Sequence, residues 1–350
     1  PPMKVLITGG AGFLGLHLAW YLHRRGWTVS LLDVAPFDRK EYPPAVGCIA
    51  VDVRNRKRLA EIFRDGRFRA VVHAAAALPL WRRQDIFSTN VGGTRNVLDL
   101  AVENSVERVV FISSTAVYGV PTKHPIAEND PLCGVGPYGE SKILAERVSE
   151  AYRERGLVVP VLRPKTFIGP GRLGVFEILF DWIRAGKRIP LIGSGANRYQ
   201  LLDVEDLAEA IYRCLVGEPR LVNQTFNVGA REFGTVKADV GALLAFAKSG
   251  SRVLPLPAGV AKGGLRLLER FRLSPLYAWV YETADRDSFV STDRAERSLN
   301  WQPRYSNAQA LVRAYRWYLE HLEEVAGAGS GLTHRKPWAQ GILRLIRAFM

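Results

Sequence analysis

The sequence predicts an α/β protein: a doubly wound parallel sheet built to hold a dinucleotide, a smaller α+β substrate region, and a C-terminal amphipathic helix. Three observations carry this. A short apolar run, Val5-Leu6-Ile7, ends in glycines at three-residue spacing (Gly9, Gly12, Gly15) and passes straight into a helical pattern of Phe13, Leu14, Leu18, Tyr21 and Leu22. A second apolar run ends in an acid, Asp33, about 20 residues beyond those glycines. Strand-like and helix-like segments then alternate to residue 162, the rhythm of a parallel sheet covered on both faces.

Composition bounds the rest. At 350 residues and 47% hydrophobic, the chain can bury a large core. No apolar run reaches the roughly 18 residues of a membrane span, and no secretory signal is read at the start, so a cytoplasmic setting is expected. Cys48, Cys133 and Cys214 are scattered, without metal-ligand spacing, which fits a reducing compartment and predicts no metal site. A net charge of +14 implies an anionic partner. No zinc finger, RNA-binding aromatic signature or basic zipper accompanies it, so nucleic acid is not expected.

Each element has a local reason. The helix opening at Phe13-Leu14 presents unpaired backbone N–H groups, the glycines let a pyrophosphate approach, and Gly15 lets helix and strand pack tightly. Residues 27–32 form a second strand, and Asp33 suits two bonds to the adenosine ribose hydroxyls while repelling a 2′-phosphate. NAD is therefore favoured, with NADP kept open by the nearby Arg39 and Lys40. A third strand (48–51) precedes Asp52-Val53, and a helix covers 59–63. A fourth strand, 70–76, ends in Ala74-Ala75-Ala76, small enough for backbone to lie against a ligand; His73 within it reads as structural. Residues 108–112 form a fifth strand delivering Ser113, Ser114 and Thr115 at its carboxyl end, where doubly wound sheets bind ligands. Tyr138 and Lys142 follow, four apart and so on one helical face.

The Gly-x-x-Gly-x-x-Gly turn, Asp33, Ser114 and the Tyr138–Lys142 pair, in that order, resemble the extended short-chain dehydrogenase/reductase family, also called the NAD-dependent epimerase/dehydratase family. The resemblance covers about the first 165 residues. It implies that Ser114, Tyr138 and Lys142 are catalytic: the phenol is the acid–base, the ammonium favours phenolate and reaches the nicotinamide ribose, and the serine holds the reacting oxygen. It assigns Asp52-Val53 to the adenine, Asn90 in Asn-Val-Gly-Gly-Thr to bracing the central strands, and Ser113 and Pro164 to the cofactor. It also implies a homodimer. Thr115, Thr166, Arg172 and Tyr199 are the expected substrate contacts, with Lys165, Arg172 or Arg198 as phosphate partners.

Domain limits follow: 1–162 with 200–232 for the dinucleotide, 163–199 with 233–325 for the substrate, and 326–350 as a glycine-rich linker and tail. In the tail, Trp338, Ile342, Leu345, Ile346 and Phe349 share one helical face opposite Lys336, Arg344 and Arg347, a pattern suited to an anionic membrane or to docking on the body. The stretch 260–277 repeats the basic-apolar theme. Thr115-Ala116 replaces the Asp-Glu pair of the family's dehydratases, so dehydration is not expected. Thr166 replaces a substrate-binding Asn and Tyr199-Gln200 an Arg-Asp pair, which looks more like the 3β-hydroxysteroid dehydrogenase-like and ketolipid-reducing branches. The expectation is thus an oxidoreductase on an apolar, lipid- or steroid-like alcohol or ketone, such as a ceramide-type ketolipid, peripheral on the inner membrane face. The alternatives are a nucleotide-sugar C4-epimerase with retained NAD, and a non-catalytic assembly subunit that the intact Ser114, Tyr138 and Lys142 weigh against.

Overall fold

A computed structural model describes residues 3–79, 81–270, 278–327 and Arg335. In chain order the first part comprises β1 (Lys4–Thr8), α1 (Phe13–His23), β2 (Thr28–Asp33), β3 (Gly47–Ala50), α2 (Arg56–Gly66), β4 (Ala70–His73), α3 (Arg83–Phe87), α4 (Thr94–Glu103), β5 (Arg108–Ile112), α5 (Gly136–Glu154) and β6 (Val161–Pro164). There follow β7 (Phe167–Ile168), α6 (Val175–Arg184), β8 (Ile189–Ile192), β9 (Leu202–Asp203), α7 (Val204–Val216), α8 (Pro219–Val222) and β10 (Thr225–Val228). The remainder is α9 (Val236–Ala247), β11 (Val253–Leu256), α10 (Ala258–Arg270), α11 (Ala278–Thr283), α12 (Asp293–Leu299), α13 (Asn307–Glu320) and α14 (Leu322–Gly327).

The main sheet has seven parallel strands in the order β10-β6-β5-β4-β1-β2-β3. Its fold class is the expected doubly wound one. Period-two alternation explains the layering: Val5, Ile7, Val72 and Val110 enter the core under α1 and α7, while Leu6, Val71, Val109 and Phe111 enter the core under α2, α4 and α5. The order of strand addition reverses between β1 and β4, which opens a crevice at their carboxyl ends.

The substrate-side core gathers α6, α9, α13 and β8 around Phe180, Trp182, Leu243 and Tyr315. Its helices start on local signals: Thr235 caps α9, and Ser306 with Gln309 forms a reciprocal capping box on α13. Asp206 joins this part to the sheet, because its carboxylate accepts from Arg304 and Tyr305 N–H, both at 3.0 Å, while its carbonyl accepts from Trp301 Nε1 at 2.9 Å. Trp301 is therefore buried in the sheet-side core.

Two differences from expectation bear on the site. The fourth strand stops at His73, before the three alanines, which line the crevice instead. The segment at Asn90 is a π-helical turn over Ser88–Gly93 that leads into α4. That widened turn frees the Asn90 side chain to bond elsewhere, and a Cβ on Gly93 would sit 2.6 Å from Val53 Cγ2.

Candidate active site

The glycine turn is shaped by close contacts of its own. Gly9 has φ +75°, and a Cβ there would lie 2.8 Å from the Ala74–Ala75 backbone; a Cβ on Gly15 would lie 2.5 Å from Gly9 O. Gly12 differs: its added Cβ would meet only Gly9 O, at 3.1 Å, because the space beyond is the crevice. Gly12 is also the N-cap of α1, with no side chain capping the helix and no acid in its first turn. An uncapped positive helix end with an unobstructed approach fits a pyrophosphate.

The crevice wall contains Gly9, Gly12, Phe13, Leu14, Asp33, Asp52, Val53, Ala74, Ala75, Ala76, Ser113, Tyr138 and Lys142. Asp33 accepts from Ala11 N–H at 3.0 Å and Ala35 N–H at 2.9 Å. Burial pushes its carboxyl above the usual range, while those backbone donors pull the other way. Asp52 is held below the usual range mainly by its bonds to Arg54, which outweigh burial. Arg335 reaches the same edge, donating to Ala11 O at 3.0 Å and Tyr42 Oη at 3.2 Å and pairing with Glu41.

On the other side of the crevice, α5 lays Tyr138, Ser141, Lys142, Glu146 and Ser149 along one stripe toward the sheet, the i, i+3, i+4 spacing of a helix face. Ser114 caps the 3₁₀ turn Thr115–Tyr118, its Oγ accepting from Ala116 N–H at 3.1 Å, and stands near enough to the Tyr138 phenol to act on it. Burial raises that phenol to about 12, against the opposing pull of Ser114. Lys142 Nζ lies 5.9 Å from the Tyr138 ring and donates to Ile112 O at 2.9 Å. Burial lowers the ammonium to about 8, with Glu146 opposing. In the protein alone, then, the lysine does not draw the phenol toward phenolate; burial dominates both groups.

Two buried networks hold these side chains, and sequence reasoning named only part of them. In the first, Thr8 Oγ1 bonds His73 Nδ1 at 2.7 Å, His73 Nε2 bonds Thr94 Oγ1 at 2.9 Å, and Thr94 donates to Asn90 O at 2.6 Å. Asn90 Nδ2 donates to Ser141 Oγ at 3.0 Å, and Ser141 donates to Tyr138 O at 2.8 Å. The glycine-turn strand is thereby tied to the helix bearing the phenol. His73, satisfied on both nitrogens, is depressed to about 3 by burial, so it stays neutral. In the second, Arg163 Nε donates to Glu146 Oε1 at 3.0 Å, Ser113 donates to the same carboxylate, and Arg163 Nη1 donates to Tyr118 Oη at 2.7 Å. Glu146 and Ser141 were detectable in principle, since they continue the spacing set by Tyr138 and Lys142; Arg163 offered no such signal.

The expected substrate contacts scatter. Thr115 Oγ1 donates to Pro164 O at 3.3 Å, beside Ser114. Thr166 Oγ1 and Tyr199 Oη bond at 3.0 Å. Arg172 instead packs over the Phe13, Phe167 and Phe176 rings at 5.4–5.8 Å. Gln200 is structural: Nε2 donates to Ala230 O at 2.7 Å and Oε1 accepts from Val290 N–H at 2.9 Å.

The basic segments behave differently from the membrane expectation. Lys262 of α10 is buried, 2.6 Å from Asp285, and Arg266 pairs with Glu282 at 2.7 Å. Arg335 is engaged at the glycine turn, and residues 336–350 lie outside the described residues. No helix among the described residues is long and apolar enough to cross a membrane.

Comparison with known proteins corrects the branch assignment. The model of the NAD dependent epimerase/dehydratase family matches residues 5–229. An uncharacterized protein, y4nG, of Sinorhizobium fredii is 34% identical over 97% of this chain and 85% of its own length. UDP-glucose 4-epimerase of Lactobacillus helveticus is 27% identical over 91% of this chain and 98% of its own. Among solved structures, UDP-glucose 4-epimerase of Thermotoga maritima superposes with a TM-score of 0.77 at 23% identity, covering 91% of this chain and 100% of that one. These similarities run to nucleotide-sugar epimerases and overturn the placement near steroid- and ketolipid-reducing branches, together with the apolar substrate and the membrane partner inferred from it. The chain is an NAD-dependent oxidoreductase, and it belongs to the NAD dependent epimerase/dehydratase family.

Proposed function

We propose that the chain is a nucleotide-sugar 4-epimerase that retains its NAD. The observation that carries this reading is the reach of the similarity to the Lactobacillus helveticus UDP-glucose 4-epimerase: it covers 91% of this chain and so extends into the substrate-side region beyond residue 229. The chemistry of the site agrees. Thr115-Ala116 supplies no carboxylate pair for eliminating water, whereas a phenol and a serine are sufficient to move one proton on and off a carbinol oxygen.

Bound NAD would supply the hydride chemistry. Gly12 and the open end of α1 would hold its pyrophosphate, Asp33 its adenosine ribose, and Lys142, which keeps donors beyond its bond to Ile112 O, its nicotinamide ribose. Ser114 orients the sugar C4 oxygen. Tyr138 Oη accepts the hydroxyl proton as the C4 carbinol is oxidised, and gives it back when the rotated keto sugar is reduced from its other face. Burial keeps the phenol raised in the protein alone, and a positive charge placed beside it would lower it. Atoms and electrons balance over the cycle, so no net NADH accumulates.

The test is incubation of the purified protein with UDP-glucose and, separately, UDP-glucuronic acid. Interconversion at C4 without net NADH supports the reading. Absence of C4 interconversion on both, with net NADH turnover on another alcohol, overturns it.

A further inference from the structure

The mechanism uses Lys142 but leaves a second buried lysine unemployed. Lys165 directly follows the last residue of β6, Pro164, whose carbonyl takes the Thr115 hydroxyl bond, so it stands one strand over from Ser114. Its N–H donates to Val228 O at 2.9 Å, which fixes where the side chain starts. The residue is only 2% exposed. Its ammonium donates to Ser288 Oγ at 2.6 Å and lies 4.7 Å above the Tyr199 ring. Among the described residues no carboxylate pairs with it. An ammonium has three donors, and a buried one without an anion is costly. Two residues earlier the same chain gives buried Arg163 its own carboxylate, Glu146.

A second, independent observation lies beside it. Burial lowers His124, the Asp287 carboxylate opposes that, and the Lys165 charge adds to it more weakly; His124 Nε2 is buried with no hydrogen-bond partner. The His124 ring lies 4.9 Å from Phe289, and beyond Phe289 comes exposed Arg198, whose guanidinium sits 4.7 Å from both the Phe289 and Phe233 rings. One cation is therefore inside, near the reacting serine, and another is outside, with an aromatic layer between. The outer one suits a diphosphate open to solvent; the inner one follows the strand that pairs with the strand leading to Ser114.

We propose that Lys165, with His124 beside it, recognises a carboxylate carried by the sugar ring, so that the preferred substrate is a nucleotide-linked uronic acid rather than a neutral hexose. This rests on the nucleotide-sugar reading above.

Calorimetric titration of the NAD-loaded protein with UDP-glucuronic acid, UDP-glucose and UDP tests it. Wild type should bind UDP-glucuronic acid on the order of tenfold to hundredfold more tightly than UDP-glucose, the range of a charge-assisted contact. Lys165→Met should close that gap and weaken UDP itself far less. A wild type without the preference, a preference that survives Lys165→Met, or a loss of UDP binding as large as that of UDP-glucuronic acid overturns the inference alone. If wild type binds none of the three, the nucleotide-sugar reading falls and takes the inference with it. Should Lys165→Met not fold, Lys165→Gln carries the same expectation, and the wild-type ratio is decisive without either.

Discussion

On the cofactor side of the sheet edge, Lys142 is buried beside Glu146 and bonded to a backbone carbonyl, and its ammonium falls only to about 8. On the substrate side, Lys165 is buried as deeply but has one hydroxyl and an aromatic face, and it falls to about 7. The two regions also differ in bonding. The cofactor side is closed by polar networks in which Asn90, His73 and Glu146 are satisfied by protein, whereas the substrate side keeps His124 Nε2 without a partner. A polar network complete in itself sets geometry before any ligand arrives; an incomplete one marks where a ligand supplies the missing group.

The largest expected effect tests the completed side. Tyr138→Phe removes the proposed proton carrier and should lower kcat by about 10²- to 10⁴-fold, with NAD affinity unchanged by fluorescence titration. Retained turnover would break the assignment. Next comes stability. Glu146→Ala leaves Arg163 charged, buried and unpaired, and should cost about 3–5 kcal/mol in urea unfolding, whereas Lys165→Met, which removes an unpaired charge, should leave the ligand-free protein at least as stable as wild type. Equal destabilisation by both would erase the contrast between the two regions.

Asp33→Asn should weaken NAD roughly tenfold, as expected for losing a charged acceptor, and narrow the preference over NADP; an unchanged ratio would remove Asp33 from the ribose. Between adjacent pH values the effect is of similar size. Lys165 has a folded value near 7 against an ordinary 10.5, so between about pH 7 and 10 the unfolded chain holds the proton that the folded one has lost. Stability of the ligand-free protein should thus rise with pH across that window, by up to about 1.4 kcal/mol per unit. Lys142 adds the same sign from about pH 8 upward. Lys165→Met should flatten the lower part of the rise, seen as thermal midpoints at pH 7 and 8.

The lipid expectation fails for a physical reason. Position alone sets Thr166, Tyr199 and Gln200 against the family pattern, and Gln200 serves the backbone at Ala230 and Val290. The basic stretch around Lys262 suggested a membrane only while Asp285 and Glu282, its partners, were distant in the chain.

The sequence by itself determined what neighbouring residues decide: the glycine turn into α1, the alternation that sorts Val5 and Ile7 from Leu6, the capping of α9 and α13, and the shared helix face of Tyr138 and Lys142. Only the tertiary structure decided which buried charges are answered. Glu146 meets Arg163 across 17 residues and Lys165 meets Ser288 across 123, and no periodicity carries such a pairing, because it is set by which strands lie side by side after the sheet has closed.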